Sequence, residues 1–322
     1  MHAPLDVLCA GLVVADHVCA PIARIPPAGT LILTEKLDIT IGGCAANTAT
    51  DLAKLGVRNG IVGRIGDDPL GQIVKQSLVK QGVDVRHLSV SQTAQTAATL
   101  VVNVEREDRR FIHAVGANAE FTGQELTEDH LQNVRVLCVG GFGLNDALSG
   151  ENVAGMFRRA RAAGVMTMLD IVISDAAQTR KMLEPVLPLT DLFLPNQDEA
   201  AMLLGETDPV LQAQHFRSAG AAAVIVTSGV AGLTFANSEG IWQMLAHPVK
   251  QVDGTGGGDA FVAGYILGIL ENRPLAERLA YGVALGASCV QSMGATTGVF
   301  DHPTLVKFVA EHPLPLNRIE KA

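Results

Sequence analysis

One stretch of the sequence joins residues that can bind an anion to a residue that can accept a proton. Gly256, Gly257 and Gly258 stand directly before Asp259, and the apolar run that follows is long enough for a helix. Glycine lets the backbone approach a ligand closely, and the first N–H groups of a helix are unpaired at the positive end of its dipole. An anion cradle beside a carboxylate suits the transfer of a phosphoryl group to a hydroxyl. The alternative interpretation of Asp259 is a helix cap.

A second pair of polar residues follows the predicted strand at residues 192–194. Asn196 and Glu199 are one helical turn apart. Oxygen ligands of this kind, together with water and substrate phosphates, usually hold Mg²⁺ in proteins. The same spacing also fits a capping box, with Asn196 as the N-cap and Glu199 at the third helical position. Both interpretations can hold at once.

The turn after the predicted strand at residues 223–226 contains Thr227, Gly229 and Gly232. It either borders a nucleotide or forms the bend of a hairpin, since ligands of parallel sheets bind at the carboxyl ends of the strands.

Further on, the loop at residues 294–298 follows a predicted helix at 281–292. This loop could close over an adenine or hold a monovalent cation through its carbonyl oxygens.

Near the N-terminus, the apolar run at residues 7–15 predicts a strand buried on both faces, with Asp16 at its end. There Asp16 either meets a ligand or satisfies its own turn. Gly42 and Gly43 open a helix and could admit a ligand to the backbone. Asn47, in the first turn of that helix, could bind a hydroxyl or could simply start the helix.

Strands and helices alternate along most of the chain. Predicted strands lie at residues 59–65, 136–139, 165–169, 192–194 and 223–226, and predicted helices at 69–81, 149–163, 176–187, 197–204 and 209–218. This rhythm predicts right-handed βαβ units and a mostly parallel sheet. We find no repeat or linker, so we expect a single domain over residues 1–322.

Two segments with alternating apolar and polar residues interrupt this rhythm. One is residues 37–41, and the other is a hairpin of residues 99–104 and 110–115 across the charged turn 105–109. We expect residues 32–41 and 99–115 to share a small separate sheet. The insertions, approximately 17–41 and 97–115, would act as a lid over the crevice and could pair in a homodimer, because exposed sheet edges invite pairing.

Composition excludes several classes of function. The formal net charge is −9 and no run of Lys or Arg exceeds two residues, which argues against nucleic-acid binding. The five scattered cysteines lack CxxC spacing, so we expect reduced thiols, no zinc site and a cytoplasmic location. Neither a signal peptide nor a membrane-spanning segment is predicted. The sequence also lacks a Gly-Lys pair, and so a Walker A loop, and a GxGxxG motif after the first strand.

Taken together and in order, these motifs resemble those of the ribokinase-like (PfkB-type) carbohydrate kinase family. Its C-terminal signature is similar to residues 253–261, and its N-terminal signature is matched by Gly42, Gly43, Asn47, Leu55 and Gly56. Further segments in family order are residues 63–71, 116–118, 196–199 and 227–232. The resemblance covers the chain from Asp6 to about Gly298. It implies a three-layer α/β/α fold with a mostly parallel central sheet and a small β-sheet lid.

The resemblance also implies a role for each matched residue. Asp259 would be the base for the acceptor hydroxyl, and residues 256–258 would form the anion hole. Sugar hydroxyls would be held by Asp16, Gly42, Gly43 and Asn47. ATP would be bordered by Asn196, Thr227, Gly229 and Gly232. Mg²⁺ would be organised by Asn196 and, indirectly, by Glu199, and a potassium site would involve Asp253, Thr255 and the loop near Gly294.

Some positions depart from the family pattern. Gly254 replaces the usual Thr and Gly257 the usual Ala. After Asp170, residues 171–174 replace the Asp-x-Asn-x-Arg of many fructose-specific members, and Phe142 falls where ribose-specific members carry a substrate-binding Glu. We therefore expect an ATP-dependent kinase for a sugar or sugar-like alcohol. The alternatives are a nucleoside kinase, in which Phe142 contacts a base, and a non-catalytic ligand-binding relative, which Asp259, Asn196 and Glu199 disfavour.

Overall fold

A computed structural model describes residues 4–105, 107 and 109–320 and arranges them around two β-sheets. The strands, in chain order, are β1 (Val7–Gly11), β2 (Val14–Ile22), β3 (Leu37–Gly42), β4 (Asn59–Gly66), β5 (Leu88–Ser91), β6 (Ala98–Val104), β7 (Arg110–Ala114), β8 (Val136–Phe142), β9 (Met166–Ile171), β10 (Leu192–Phe193), β11 (Ala223–Thr227), β12 (Leu233–Asn237), β13 (Gly240–Met244) and β14 (Asn317–Glu320). Arg106 and Asp108, from the predicted charged turn, lie outside the described residues.

The helices cover both faces of the larger sheet. They are α1 (Cys44–Lys54), α2 (Pro69–Gln81), α3 (Gly150–Ala162), α4 (Ala176–Leu183), α5 (Gln197–Leu204), α6 (Pro209–Ser218), α7 (Gly257–Leu270), α8 (Leu275–Cys289) and α9 (His302–Glu311). One buried core joins the sheet to α1, α2, α7, α8 and α9, and the other joins it to α3, α4, α5 and α6. The predicted three-layer α/β/α arrangement is therefore confirmed. None of the described helices is long and apolar enough to span a membrane.

The larger sheet has the order β14-β13-β12-β11-β10-β9-β8-β1-β4-β5. The neighbours from β11 to β5 are parallel, while β12, β13 and β14 are added antiparallel at one edge. The central strands β1 and β8 are buried throughout, as their continuous apolar runs predict. The carboxyl ends of the parallel strands consequently meet along one edge, where ligands of such folds bind.

The smaller sheet has the order β3-β2-β6-β7 and forms the predicted lid. Strand β2 lies in its middle, antiparallel to β3 and parallel to β6. Its strands fall within residues 14–42 and 98–114, so the first insertion begins slightly before the expected residue 17. Residues 32–36, which we expected in this sheet, are not part of a strand.

The prediction of one strand over residues 7–15, ending at Asp16, is wrong. Strand β1 ends at Gly11, whose φ of 134° and close contact with Gly140 turn the chain. The side-chain amide of Asn118 then pairs with both backbone groups of Val13, its Nδ2 donating to the carbonyl at 3.1 Å and its Oδ1 accepting the N–H at 3.3 Å. Strand β2 starts just beyond this point. Asp16 is therefore a residue of the lid sheet and does not follow the end of a central strand.

Other differences concern the ends of elements. Helix α4 ends at Leu183, earlier than the predicted 187, and a short 3₁₀ turn that contains Pro188 follows it. The predicted helix at residues 281–292 begins earlier, at Leu275, and ends at Cys289. The sequence patterns did not predict β5, β13, β14 or α9.

Candidate active site

Asp259 lies in the first turn of α7, where the glycine-rich stretch enters the helix. The N-cap of α7 is Gly256, with φ 78°, and the helix has no side-chain cap hydrogen bond. The capping interpretation of Asp259 is therefore wrong. A side chain at Gly256 would collide with the carbonyl of Ala295, whereas a Cβ at Gly258 would meet nothing within 4 Å. The Gly257 N–H donates to the Gly254 carbonyl at 3.4 Å, so the N–H groups of Gly258 and Asp259 are the ones this helix start offers to an anion.

Beside Asp259, one side of the crevice is formed by α1 and the lid strand β2. The Asn47 Nδ2 donates to the Asp259 Oδ2 at 2.9 Å, although the two residues are 212 positions apart. Within the described part of the chain, the Asn47 Oδ1 is buried without a hydrogen-bond partner, so it can accept a bond from a ligand hydroxyl. A Cβ at Gly42 would overlap the Asp16 carboxylate, at 2.1–2.4 Å, so the missing side chain of Gly42 makes room for Asp16. Gly43 is the N-cap of α1 and would clash with the Leu12 carbonyl if it carried a side chain.

A second carboxylate, which the sequence reasoning did not assign to the site, lies beside Asp259. It belongs to Asp170 in β9, and one polar atom from each of Cys44, Asp170 and Asp259 lies within 4.8 Å of the other two. The Gly141 N–H donates to the Asp170 Oδ2 at 3.2 Å. The signal that could have identified Asp170 is its position directly after the predicted strand at residues 165–169.

Burial and mutual repulsion raise the pKa values of these carboxyl groups. Burial, with the Asp170 charge adding to it, raises the pKa of Asp259, and burial with the Glu199 charge raises the pKa of Asp170. Burial also raises the pKa of Asp16 to about 6, against the hydrogen bond from Thr99. Such clusters of groups with raised pKa values are typical of catalytic sites.

Where β10 and β11 end, the structure brings Asn196, Glu199 and Thr227 together. Asn196 and Thr227 are paired in a parallel bridge where β10 and β11 end. Asn196 and Glu199 form the complete capping box of α5, with the Glu199 N–H donating to Asn196 Oδ1 at 2.8 Å and the Asn196 N–H to Glu199 Oε2 at 2.9 Å. Burial, with the charge of Asp259 adding to it, raises the pKa of Glu199 to about 7. The capping interpretation therefore holds, and Glu199 also lies near enough to the crevice for its charge to affect Asp259 and Asp170.

The turn that contains Gly229 and Gly232 is a hairpin bend as well as a candidate nucleotide border. Strands β11 and β12 pair antiparallel on its two sides. Gly229 has φ 52° and a Cβ there would meet nothing within 4 Å, whereas a Cβ at Gly232 would touch the Met244 carbonyl at 2.1 Å. One side of the turn is thus open and the other is packed.

The Asp253 carboxylate joins Thr255 to the loop near Gly294. The Asp253 Oδ1 accepts from the Thr255 N–H at 2.9 Å and from its hydroxyl at 2.7 Å. The other carboxylate oxygen accepts from the Gly294 N–H at 3.0 Å. The Asp253 carboxylate therefore ties the turn before α7 to the loop after α8.

Phe142 is not part of this crevice. Its side chain is fully buried in the core that faces α3 to α6, whereas Asn47 and Asp259 belong to helices on the opposite face of the sheet. The expectation that Phe142 contacts the base of a nucleoside is therefore wrong. Residues on the core-facing side of a strand cannot be told from crevice residues by their sequence position alone.

The arrangement as a whole suits transfer of an anionic group to a hydroxyl. A buried carboxylate, an adjacent amide with a free acceptor and an open helix N-terminus converge on one space. The carboxylate can take a proton while the helix start stabilises negative charge.

Comparison with known proteins agrees with this geometry. A family model described as pfkB family carbohydrate kinase matches residues 5–302. The chain is 26% identical over 318 residues to a ribokinase of Haemophilus influenzae, covering 97% of this chain and 100% of that protein. It is 29% identical over 271 residues to a fructokinase of Klebsiella pneumoniae, covering 80% and 88% of the two chains.

The fold is also similar to that of a solved structure, described as ribokinase II from E. coli in complex with ATP and Mg²⁺. The TM-score is 0.82 at 24% identity, over 96% of this chain and all of the other. The ribokinase-like fold predicted from the motifs is confirmed. Because the family model spans nearly the whole sequence, the chain belongs to the pfkB family of carbohydrate kinases.

Proposed function

We propose that this protein transfers the γ-phosphoryl group of ATP to a hydroxyl of a sugar or sugar-like substrate, with Asp259 as the base. The observation that carries the proposal is the position of Asp259. Its carboxylate lies in the first turn of α7, directly after the glycines, and is hydrogen-bonded to Asn47. A hydroxyl bound at Asn47 would thus be within reach of both the proton acceptor and the phosphoryl group.

The acceptor would be held from two sides. Asn47 offers a free carbonyl oxygen from α1, whose N-cap is Gly43, and Asp16 offers a carboxylate from the lid, lying over Gly42. Asp259 would take the hydroxyl proton as the bond to phosphorus forms. The N–H groups of Gly258 and Asp259 would stabilise the charge on the transferred group, because they have no partner within the helix, whereas the Gly257 N–H donates to the Gly254 carbonyl.

ATP and Mg²⁺ fit the opposite side of the crevice. The open face of Gly229 leaves room beside the Asn196–Thr227 bridge, and Gly232 fixes the turn. A nearby cation would stabilise the ionised Glu199, whose pKa is raised to about 7 by burial and neighbouring charge. When bound, Mg²⁺ would neutralise charge on the phosphates. The chain's own part is to orient them through Asn196 and Glu199.

A potassium ion is a further part of the proposal. The buried carboxylate of Asp253 joins Thr255 to the loop near Gly294 and would supply the negative charge for such an ion. We expect the rate to rise when sodium is replaced by potassium. Equal rates in sodium, potassium and tetramethylammonium buffers would remove potassium from the proposal.

The remaining parts concern partners and location. We propose a homodimer that forms through the lid, in a cytoplasmic protein with no nucleic-acid or membrane partner. The dimer is supported by exposed apolar side chains on one face of the lid, which are Leu37, Ile39, Leu100 and Ile112. The location is supported by the five free cysteines, and the absence of a nucleic-acid partner by the net charge of −9. A nucleoside kinase and a non-catalytic relative remain as alternatives, although the buried position of Phe142 removes the argument for a nucleoside base.

The experiment is a screen for ADP release with ATP and Mg²⁺ over sugars, sugar phosphates and nucleosides. We expect turnover with at least one sugar or sugar-like alcohol and none without an acceptor. Preference for a nucleoside would support the first alternative. Absence of turnover with every acceptor, despite binding of ATP, would contradict the kinase assignment.

A further inference from the structure

A lid arginine contacts the turn that leads into the glycine stretch. Arg109 directly precedes β7, and its Nε lies 3.8 Å from the Asp253 Oδ1. Both side chains are shielded from solvent, with 21% of Arg109 and 3% of Asp253 exposed. This ion pair is therefore a direct link between the lid sheet and the start of α7, and its shielding means that salt screens it less than an exposed pair.

Gly254, the neighbour of Asp253, is shaped to receive this arginine. A Cβ at Gly254 would lie 2.8 Å from the Arg109 Nη1 and 3.4 Å from its Nη2, with the Gln251 Nε2 at 3.0 Å as the other near atom. The backbone of Gly254 does not adopt a positive φ, so its conformation does not require glycine. The missing side chain instead makes room for the guanidinium. This accounts for one departure from the family pattern, in which Thr is usual at this position.

The inner face of the lid holds the guanidinium in this place. The Arg109 guanidinium carbon lies 5.3 Å from the centre of the Phe111 ring, a cation–π distance. Across the lid strands, Phe111 is paired with Val101, and His113 with Thr99. Thr99 is in turn paired with Asp16. Arg109 is thus supported from the same face of the lid that presents Asp16 to the crevice.

We propose that Arg109 is a positioning residue that docks the lid on the turn at residues 253–255, and that the missing side chain of Gly254 makes room for its guanidinium. This inference rests on the proposed kinase function. Docking fixes Asp16, on the lid, relative to Asp259, which is carried by the helix that follows the turn. Since both would hold the same acceptor, an undocked lid would misalign the hydroxyl and lower the rate.

A double-mutant cycle of Arg109→Ala and Gly254→Ala tests this. The melting temperature is measured on the free protein, and ADP formation is measured with D-ribose and D-fructose as acceptors. We expect each single substitution to lower the melting temperature by about 2 °C and kcat/KM for the acceptor by about 10-fold. KM for ATP should hardly change. Gly254→Ala should have almost no further effect when Arg109 is already Ala.

The matched control is Arg110→Ala. Arg110 is the next residue, with half of its side chain exposed, and it pairs with Glu107. It should leave kcat/KM and the melting temperature unchanged.

If the two substitutions had additive effects on the melting temperature, Gly254 would not be the residue that makes room for the Arg109 guanidinium. If the effects on the melting temperature were non-additive but kcat/KM did not change, the contact would exist but Arg109 would not position the acceptor. That result would overturn the positioning role. If wild-type protein phosphorylates neither sugar, the cycle is repeated with the acceptor found in the wider screen. If that screen finds none, the proposed function and the positioning role both fail, while the melting temperatures still decide whether the contact exists.

Discussion

The side-chain amide of Asn47 donates a hydrogen bond to the carboxylate of Asp259, with 2.9 Å between Nδ2 and Oδ2. The bond joins the first turn of α1 to the first turn of α7. Each of these helices has a glycine as its N-cap, Gly43 for α1 and Gly256 for α7, so two helix starts meet at one carboxylate. An amide that donates to a base also leaves its own carbonyl oxygen free for the acceptor hydroxyl. This pairing is the geometric reason for placing proton transfer at Asp259.

Asp259→Asn should lower kcat by about 10²–10⁴-fold while KM for ATP changes little. The amide keeps the size of the side chain and can still accept from Asn47, but it cannot take a proton. The control is Asp68→Ala. Asp68 is a true N-cap, which accepts from the Gly71 N–H at 2.8 Å. Its loss also removes two hydrogen bonds that Thr96 donates, so it should reduce the free energy of unfolding by about 1–2 kcal/mol with little effect on the rate. A near-wild-type kcat for Asp259→Asn would overturn the base assignment.

Several parts of this site could be predicted from the sequence because their signals are local. The bounds of α2 and the cap at Asp68 follow from Asp-Pro at the start and Gly82 at the end. The start of α7 follows in the same way from its glycines. The place of Asp16 could not be predicted, because the break after Gly11 depends on contacts with Gly140 and Asn118, which lie far away in the sequence.

The proximity of Asp170 to Asp259 was equally hidden. It depends on the strand order, which places β9 beside β8 and β8 beside β1, and on the packing of α1 and α7 over these strands. Periodicity shows that a segment is a strand but not which strand lies next to it. For the same reason Phe142, at the end of β8, was expected to face the crevice although its side chain lies in the opposite core.

The pH dependence of the rate should report the Asp170–Asp259 pair. Asp259 must be ionised to accept a proton, and burial together with the Asp170 charge raises its pKa above the usual range. We expect kcat/KM to rise with pH and to reach its plateau well above the ordinary carboxyl pKa of about 4. Asp170→Asn removes one raising charge, so its rise should occur at lower pH. Identical profiles for the two proteins would contradict this electrostatic interaction.

The same pair should reduce stability at alkaline pH. The folded-state pKa values of Asp170 and Asp259 lie above their unfolded-state values. At pH values between the unfolded and the folded pKa, the folded state therefore binds more protons than the unfolded state. The free energy of unfolding therefore falls as pH rises through that window. Asp170→Asn removes part of this effect. It should raise the melting temperature relative to wild type more at about pH 8 than at about pH 4, and an equal difference at both pH values would argue against it.

Glu199→Gln separates the capping role of this residue from its charge. Glutamine can still accept from the Asn196 N–H as the third residue of the capping box, so the melting temperature should stay close to wild type. The carboxylate charge near the crevice is lost. We expect the Mg²⁺ concentration for half-maximal rate to rise about 10-fold, because one charge contact is lost. Glu199→Ala should lose both functions. If Glu199→Gln titrates with Mg²⁺ as wild type does, Glu199 serves only as a cap.

The lid should hold two copies of the chain together. Ile39 and Leu100 are each paired in register with His17, and Ile112 is paired with Leu100. The three side chains therefore lie on one face of the lid sheet. Their exposed fractions are 44%, 42% and 67%, and Leu37 on the same face is 70% exposed. Apolar side chains grouped in this way on a small sheet favour self-association. Light scattering during size exclusion should therefore give the mass of a dimer at micromolar concentration.

Ile112→Lys should convert that dimer to a monomer, because it would bury a charge in the apolar contact. The matched control is Val79→Lys on α2, where another apolar side chain is 55% exposed but lies outside the lid. The control should remain dimeric. A monomeric wild type would remove the dimer while leaving the lid as a cover of the crevice. A dimer that withstands Ile112→Lys but dissociates with Val79→Lys would place the interface on α2 and not on the lid.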